Sequence, residues 1–272
     1  MTTPATAPTH THAHALRDNL TMLRRNILHA RRYPSLTLNI LLTPVILLLL
    51  FVYLFGDVMS AGITGGTADR SAYVAYIVPG ILLTTIGGTA LGTAVSVSMD
   101  MTEGIMARFR TMPISRASVL IGHVLGSVLQ TLLALAALLL IGVAIGFRPN
   151  ATPLEWLAAT GLLALVSLAL IWFAVGIGLA APNPEGASNL GTPLMMLPML
   201  SSAFVPVGSM PVWFRWFAEY QPFSPAIETL RGLLMGTPIG TTNAVLTLAW
   251  CVGLSVLGYV WSKALFVREP RH

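Results

Sequence analysis

Charge is scarce in this chain: of 272 residues only 9% are Asp, Glu, Lys or Arg, against 55% that are hydrophobic. One soluble core cannot absorb that much apolar surface, so the composition excludes an ordinary soluble domain and selects a bilayer as solvent. Lysine is almost missing, with Lys263 the only one, and no G-x-x-x-x-G-K-[ST] run occurs. The phosphate cradle of a P-loop ATPase is therefore excluded. A single cysteine, Cys251, excludes an intrachain disulfide. There is no G-x-S-x-G or H-E-x-x-H, and no cluster of His with carboxylates within the apolar runs. These are the arrangements that a membrane hydrolase would need. His10, His12 and His14 sit in a tail with nothing nearby to complete a coordination shell, so no metal and no bound cofactor are expected. Asp57, Glu155 and Lys263 lie near the ends of apolar runs rather than in their middles, which speaks against the midplane ionisable groups of a secondary transporter.

What the chain does have is long apolar runs. A hydrocarbon core about 30 Å thick is crossed by a helix of about 20 residues. Six candidates occur, at 35–55, 73–98, 117–146, 154–181, 189–207 and 241–266. The fifth is punctuated by Pro193, Pro198 and Pro206, breaks that are tolerated where neighbouring helices satisfy the freed backbone. Residues 1–14 have no periodicity and read as a disordered tail, leaving 15–272 as one membrane domain. No cleavage site follows the Arg-rich segment before the first run, so that run is expected to persist as an anchor. With both termini in the cytoplasm, 11 of the 15 Lys and Arg residues fall inside, as the positive-inside rule requires. The basic balance then reflects topology and anionic lipids, and no nucleic-acid partner is inferred.

Between the runs, three segments carry a pattern. Leu16, Leu20, Leu23 and Ile27 recur at helical spacing beside Arg17, Arg24 and Arg25, which predicts an amphipathic helix lying on membrane lipids. The stretch 100–116, "DMTEGIMARFRTMPISR", holds five of the chain's 25 formal charges. On a helical wheel Met101, Ile105, Met106, Phe109 and Met112 form one arc, Asp100, Glu103, Gly104, Arg108 and Arg110 the other, and Pro113 ends the helix. Its apolar face can rest on the membrane interface or dock on a protein; Asp100 and Glu103 favour a partner of complementary charge over a purely lipid-binding face. Near the end of the chain, Trp213, Phe214, Trp216, Phe217, Tyr220 and Phe223 cluster before a short apolar face, with Glu228 and Arg231 three apart. Two short helices dipping into the outer interface fit this segment.

Within the runs, Thr85, Thr89, Thr93 and Ser96 make a weakly polar stripe, and Gly88 with Gly92 and Gly142 with Gly146 stand four apart. Close helix packing and pathway lining both accommodate such stripes. The fifth run offers Asn189, Thr192, Met195, Met196, Met199 and Phe204, side chains that suit adaptable contact with lipophilic compounds as well as lipid or helix contact. His123, near the start of the third run, reads as a hydrogen-bonded structural histidine or a proton relay.

The run "EGIMARFRTMPISRASVLIGHVLG" resembles the cytoplasmic loop and following span of the membrane subunits of ABC exporters, of the daunorubicin/doxorubicin-resistance permease type. "LMMLPMLSSAFVPVGSMPVWFRWFAEYQPFSPAIETLRGLLMG" resembles that family's fifth span and re-entrant outer segment. One departure is Gln221, where many relatives have Asn. The resemblance implies an all-α polytopic permease of six transmembrane helices in the plasma membrane, without an ATPase site of its own. It implies a cytoplasmic ATPase subunit that holds ATP and Mg, and a second permease copy. The coupling helix that rests on the ATPase would be carried by Asp100, Glu103, Gly104, Arg108, Phe109, Arg110 and Pro113. A lipophilic drug or antibiotic-like compound, or alternatively a lipid, glycan or peptide, would leave by alternating access along Thr85, Thr89, Thr93 and the fifth span. Trp213, Trp216, Tyr220, Glu228 and Arg231 would form an outer lid.

Overall fold

The computed structural model describes residues 34–56, 70–102 and 116–267. The expected surface helix over 16–32 and the histidines of the tail lie outside the described residues. Among the described residues all regular structure is helical. In chain order the long helices are α1 (Pro34–Leu54), α2 (Arg70–Thr102), α3 (Arg116–Ile145) and α4 (Pro153–Ala180). They are followed by α5 (Pro184–Met196), α6 (Val212–Tyr220), α7 (Phe223–Met235) and α8 (Thr241–Val267). Short 3₁₀ turns at Leu197–Leu200 and Val207–Ser209 link α5 to α6.

The ends of these helices follow from local chemistry. Pro153 opens α4, and Thr152 and Glu155 cap it reciprocally: the Glu155 amide donates to Thr152 Oγ1 and the Thr152 amide to Glu155 Oε2 at 2.7 Å. At the start of α5, Asn183 Oδ1 accepts from the Gly186 amide and Pro184 occupies the first turn. Gly146 and Gly236 end α3 and α7 at φ of 121° and 63°, backbone that a side chain resists. These two glycine turns meet, because the Asn150 amide donates to Leu234 O.

Among the described residues four helices are long and apolar enough to cross a bilayer: α2, Leu120–Ile145 of α3, α4, and Thr241–Leu265 of α8. The first expected span contributes a shorter apolar stretch, Leu41–Leu54. The fifth, 189–207, is not one helix: α5 stops at Met196, a 3₁₀ turn follows, and the backbone is irregular to Pro206. Proline is the reason, since Pro198 removes an amide and crowds the preceding turn. The expected short apolar helix around Glu228 is α7, and it is buried in the bundle rather than lying across it.

The bundle is built around α2, which touches α1, α3, α4, α5 and α7. In its most apolar stretch 72% of residues are buried, against 17% in α8. Small residues permit this density. A β-carbon at Gly80 would lie 2.5 Å from Ala203 O, and one at Gly87 would collide with Leu194 O, so the segment from α5 to Ala203 lies backbone-close along α2. Gly88 and Gly92, one of the pairs whose spacing allows close approach, have nothing within 4 Å of an added β-carbon, whereas one at Gly142 would lie 3.4 Å from Val78 of α2. The close face is one residue out of step with the expected one, because Gly80 and Gly87, seven apart, fall on one side of the helix while Gly88 and Gly92 point elsewhere.

Candidate functional site

The broken fifth segment raises a physical problem: between the two 3₁₀ turns, residues 202–205 are not part of a regular helix, and bare backbone groups inside an apolar bundle are costly. Three side chains from two other helices supply bonds to Ser202. Tyr76 of α2 donates from its hydroxyl to Ser202 O at 2.9 Å. Arg231 of α7 donates from Nη2 to Ser202 O and to Tyr76 O, each at 3.1 Å, and from Nε to Tyr76 O. Ser224 Oγ accepts from the Ser202 amide at 3.0 Å and donates to Ala218 O. Within the segment itself, the Ala203 amide donates to Ser201 Oγ.

Arg231 is the hub of this knot. Its guanidinium also lies 3.8 Å from the centre of the Tyr76 ring and meets Glu228 Oε1 at 2.6 Å. Five donors in a planar fork suit such multiple donation, which a lysine could not reproduce. The position of Arg231 three residues after Glu228 is legible in the sequence. Tyr76, 155 residues away, carries no signal that would pair it with either. Beside the knot a polar cleft of about 470 Å³ is lined by Tyr76, Arg215, Glu219, Glu228, Arg231 and Asn243.

The five residues expected to form an outer lid therefore divide. Glu228 and Arg231 belong to the knot, whereas Trp213, Trp216 and Tyr220 lie uncovered on α6, the first two 82% and 71% exposed. Trp216 and Tyr220 pack ring to ring, with centroids 5.8 Å apart.

The expected pathway residues also fall into two groups. Thr85, Thr89 and Thr93 are buried, and their hydroxyls donate to carbonyls of their own helix one turn back. Thr131 of α3 donates to Thr89 Oγ1 at 3.1 Å, so this part of the stripe joins α2 to α3. Phe204 is buried against Phe51 of α1, with ring centroids 4.7 Å apart. Asn189, Thr192 and Met196, by contrast, are exposed on the side of α5 facing away from α2, with Met195 half-buried between the two sides, and Met199 is exposed on the 3₁₀ turn that follows. Leu42, Ile46, Leu49 and Tyr53 form a matching uncovered face on α1. In α2, Gly92 and Ser96 are likewise uncovered.

Of the expected coupling residues, Asp100 belongs to α2, which runs on to Thr102; Glu103, Gly104, Arg108, Phe109, Arg110 and Pro113 lie outside the described residues. Asp100 Oδ2 is 3.8 Å from His123 Nδ1 of α3, an ion pair when the imidazole is protonated. His123 thus joins the ends of α2 and α3 next to the charged stretch.

Comparison with known proteins adds an independent line. The ABC-2 type transporter domain matches residues 17–235. The chain is 31% identical over 264 residues to a daunorubicin resistance ABC transporter permease of Streptomyces coeruleorubidus, covering 96% of this chain and 89% of that one. It is 28% identical over 220 residues to a probable doxorubicin resistance ABC transporter permease of Mycobacterium tuberculosis, covering 78% and 76%. Nodulation protein J of Rhizobium leguminosarum bv. viciae is 25% identical over 229 residues, covering 80% of this chain and 83% of that one.

Proposed function

Since this chain belongs to the ABC-2 type transporter family, we propose that it is the membrane-spanning subunit of an ATP-driven exporter whose ATPase is a separate chain. It is a multi-pass membrane permease with several apolar helices. ATP and Mg belong to the partner, because no P-loop run occurs in this sequence. The cytoplasmic stretch 100–116 is the contact with that partner, and both termini lie on the same side of the plasma membrane. Six passes result if α1 and the broken fifth segment each cross, the latter held at Ser202 O by Arg231 and Tyr76.

The observation that carries the pathway reading is the uncovered side of α5. Asn189 and Thr192 are polar groups on the face that its own bundle leaves open, in line with Met196 and Met199. Polar groups inside a membrane favour a protein or watery neighbour over lipid. A second copy packed across α1 and α5 covers this face and encloses a route between the protomers. The cargo is a lipophilic drug-like compound, a reading supported by the names of two relatives and by the adaptable thioethers on the face.

Cysteine cross-linking tests the arrangement. In a Cys251→Ser background, Met199→Cys should form disulfide-linked dimers in membranes, whereas Val256→Cys, on the outward side of α8, should not. Cross-linking at Val256 alone would place lipid, not a second copy, against α5.

A further inference from the structure

The polar cleft beside Arg231 has no part in the export route. It lies at the Tyr76 end of α2, whereas the charged stretch begins at Asp100 near the other end, roughly 36 Å away at about 1.5 Å per residue. Its walls come from α2, the turn Val207–Ser209, α6, α7 and α8, and none of them from α5. The volume of about 470 Å³ lies within the range of about 300–1,000 Å³ that accommodates small-molecule ligands.

Two guanidiniums and two carboxylates face this cleft, and they are not equally engaged. Arg231 directs Nε and Nη2 to backbone carbonyls and Nη1 to Glu228 Oε1. Arg215 directs Nη2 to Gly208 O at 2.7 Å and to Met210 O at 3.4 Å. Both cations therefore serve mainly to hold backbone. The acceptors are open. Glu219 stands four residues after Arg215 on α6, yet it is exposed and makes no ion pair or hydrogen bond among the described residues. Glu228 spends Oε1 on Arg231 and leaves Oε2, on a side chain that is 37% exposed. Asn243, in the first turn of α8, is half-buried, and its side-chain amide has no bond among the described residues. All three groups are within reach of a molecule in the cleft, and what they lack is a donor.

We propose that this cleft binds the ammonium group of a compact organic amine, its N–H groups bonding the Glu219 carboxylate, Glu228 Oε2 and the Asn243 side-chain oxygen, and its hydrocarbon part lying against Pro206, Val207 and Pro225. An anion fits less well, since it meets guanidiniums whose N–H groups are largely taken and two carboxylates that repel it. A divalent metal fits less well too: two carboxylates and one amide fall short of the roughly six to eight oxygens that calcium takes, and two guanidiniums stand close by. Charge-assisted hydrogen bonds are about twice as strong as neutral ones, so the site discriminates by charge. A bound amine also ties α6 to α7 and α8. The inference rests on the fold and not on the export reading, and binding alone tests it.

The full chain in phosphatidylcholine nanodiscs, whose lipid carries no net charge, is titrated with 4-fluorobenzylamine, 4-fluorobenzyl alcohol and 4-fluorobenzoate. These probes are of similar size and are cationic, neutral and anionic at neutral pH. Binding is read as fluorine line broadening in NMR, with empty nanodiscs subtracted. The amine should bind saturably and about tenfold more tightly than the alcohol, the scale of one hydrogen bond between charged groups, and the benzoate should not saturate. Glu219→Gln, which lies outside the Arg231 knot, should weaken the amine about tenfold and leave the alcohol unchanged. Asn243→Trp, which fills the cleft from α8 with both carboxylates in place, should remove saturable binding of the amine. Equal affinity of amine and alcohol for the unaltered chain overturns the proposal, as does benzoate binding as tight as the amine's. Amine binding undiminished in Glu219→Gln, or surviving in Asn243→Trp, places the probe elsewhere and refutes the site. Should Asn243→Trp fail to yield monodisperse protein, the three probes on the unaltered chain and on Glu219→Gln decide alone.

Discussion

Replacing Arg231 by Ala removes the group that holds α7, α2 and the broken fifth segment together. The side chain is 14% exposed and makes bonds to Ser202 O, Tyr76 O and Glu228, besides lying over the Tyr76 ring. A hydrogen bond to a charged group contributes about 1.5–3 kcal/mol, and a cation over an aromatic face about 0.5–2 kcal/mol. The Glu228 pair counts for less, because Glu228 is 37% exposed and exposed pairs are weak. Ser202 O keeps its bond from the Tyr76 hydroxyl, which trims the loss further. The net cost should be about 3–5 kcal/mol, in the range found on breaking a buried charge pair, or roughly 5–15 °C in melting midpoint on the scaling for soluble chains of this size. Cys251 supplies the assay: it is the only cysteine in the sequence and is 4% exposed, so a thiol-reactive dye reports its exposure on heating. Arg231→Lys, which keeps the charge but loses the planar fork, should fall between Ala and the unaltered chain. An Ala variant melting within about 2 °C of the unaltered chain, under 1 kcal/mol on the same scaling, would show that the knot holds nothing.

Gly87→Leu should lower the yield of folded protein sharply, since even a β-carbon collides with Leu194 O, while Gly88→Leu, with nothing within 4 Å of its β-carbon, should leave yield and melting unchanged; size-exclusion profiles of the two variants check the contrast. Glu103→Arg and Arg110→Glu should insert normally yet lose permease-dependent ATP hydrolysis, because truncating or reversing a docked charge costs about 2–5 kcal/mol, and Gly104→Leu should do the same by placing a side chain in the contact; full hydrolysis in all three would reduce the stretch to a membrane-surface helix. In a Cys251→Ser background, cysteines at Thr3 and Arg271 should resist an impermeant reagent in intact cells while one at Thr67 reacts, and labelling of either terminus from outside would overturn the topology.

Much of the bundle is legible in the sequence because a membrane span is a one-dimensional signal. The runs at 73–98, 117–146, 154–181 and 241–266 each lie within a few residues of the helices Arg70–Thr102, Arg116–Ile145, Pro153–Ala180 and Thr241–Val267. Prolines mark the break in the fifth segment equally plainly. Pairing in space is not one-dimensional, and there the sequence runs out. Gly-x-x-x-Gly spacing points to Gly88 and Gly92, but which face of α2 meets α5 depends on helix rotation, and Gly80 with Gly87 makes the contact. Arg231 with Glu228 stands out at three-residue spacing, yet its bonds run to Tyr76 and Ser202, on other elements. Likewise Thr85, Thr89 and Thr93 are a visible stripe, and only the fold buries them, with Thr89 bonded to Thr131 of α3, rather than leaving them exposed like Asn189 and Thr192.

The energy source separates an ATP-driven exporter from every other kind of transporter. Inside-out vesicles containing this chain and its ATPase subunit, with daunorubicin as the probe, should accumulate the compound when ATP and Mg are added. They should not do so when the ATPase is omitted or when Glu103→Arg replaces the unaltered chain. Accumulation driven by a proton gradient in the absence of ATP and of the ATPase subunit would contradict the assignment outright.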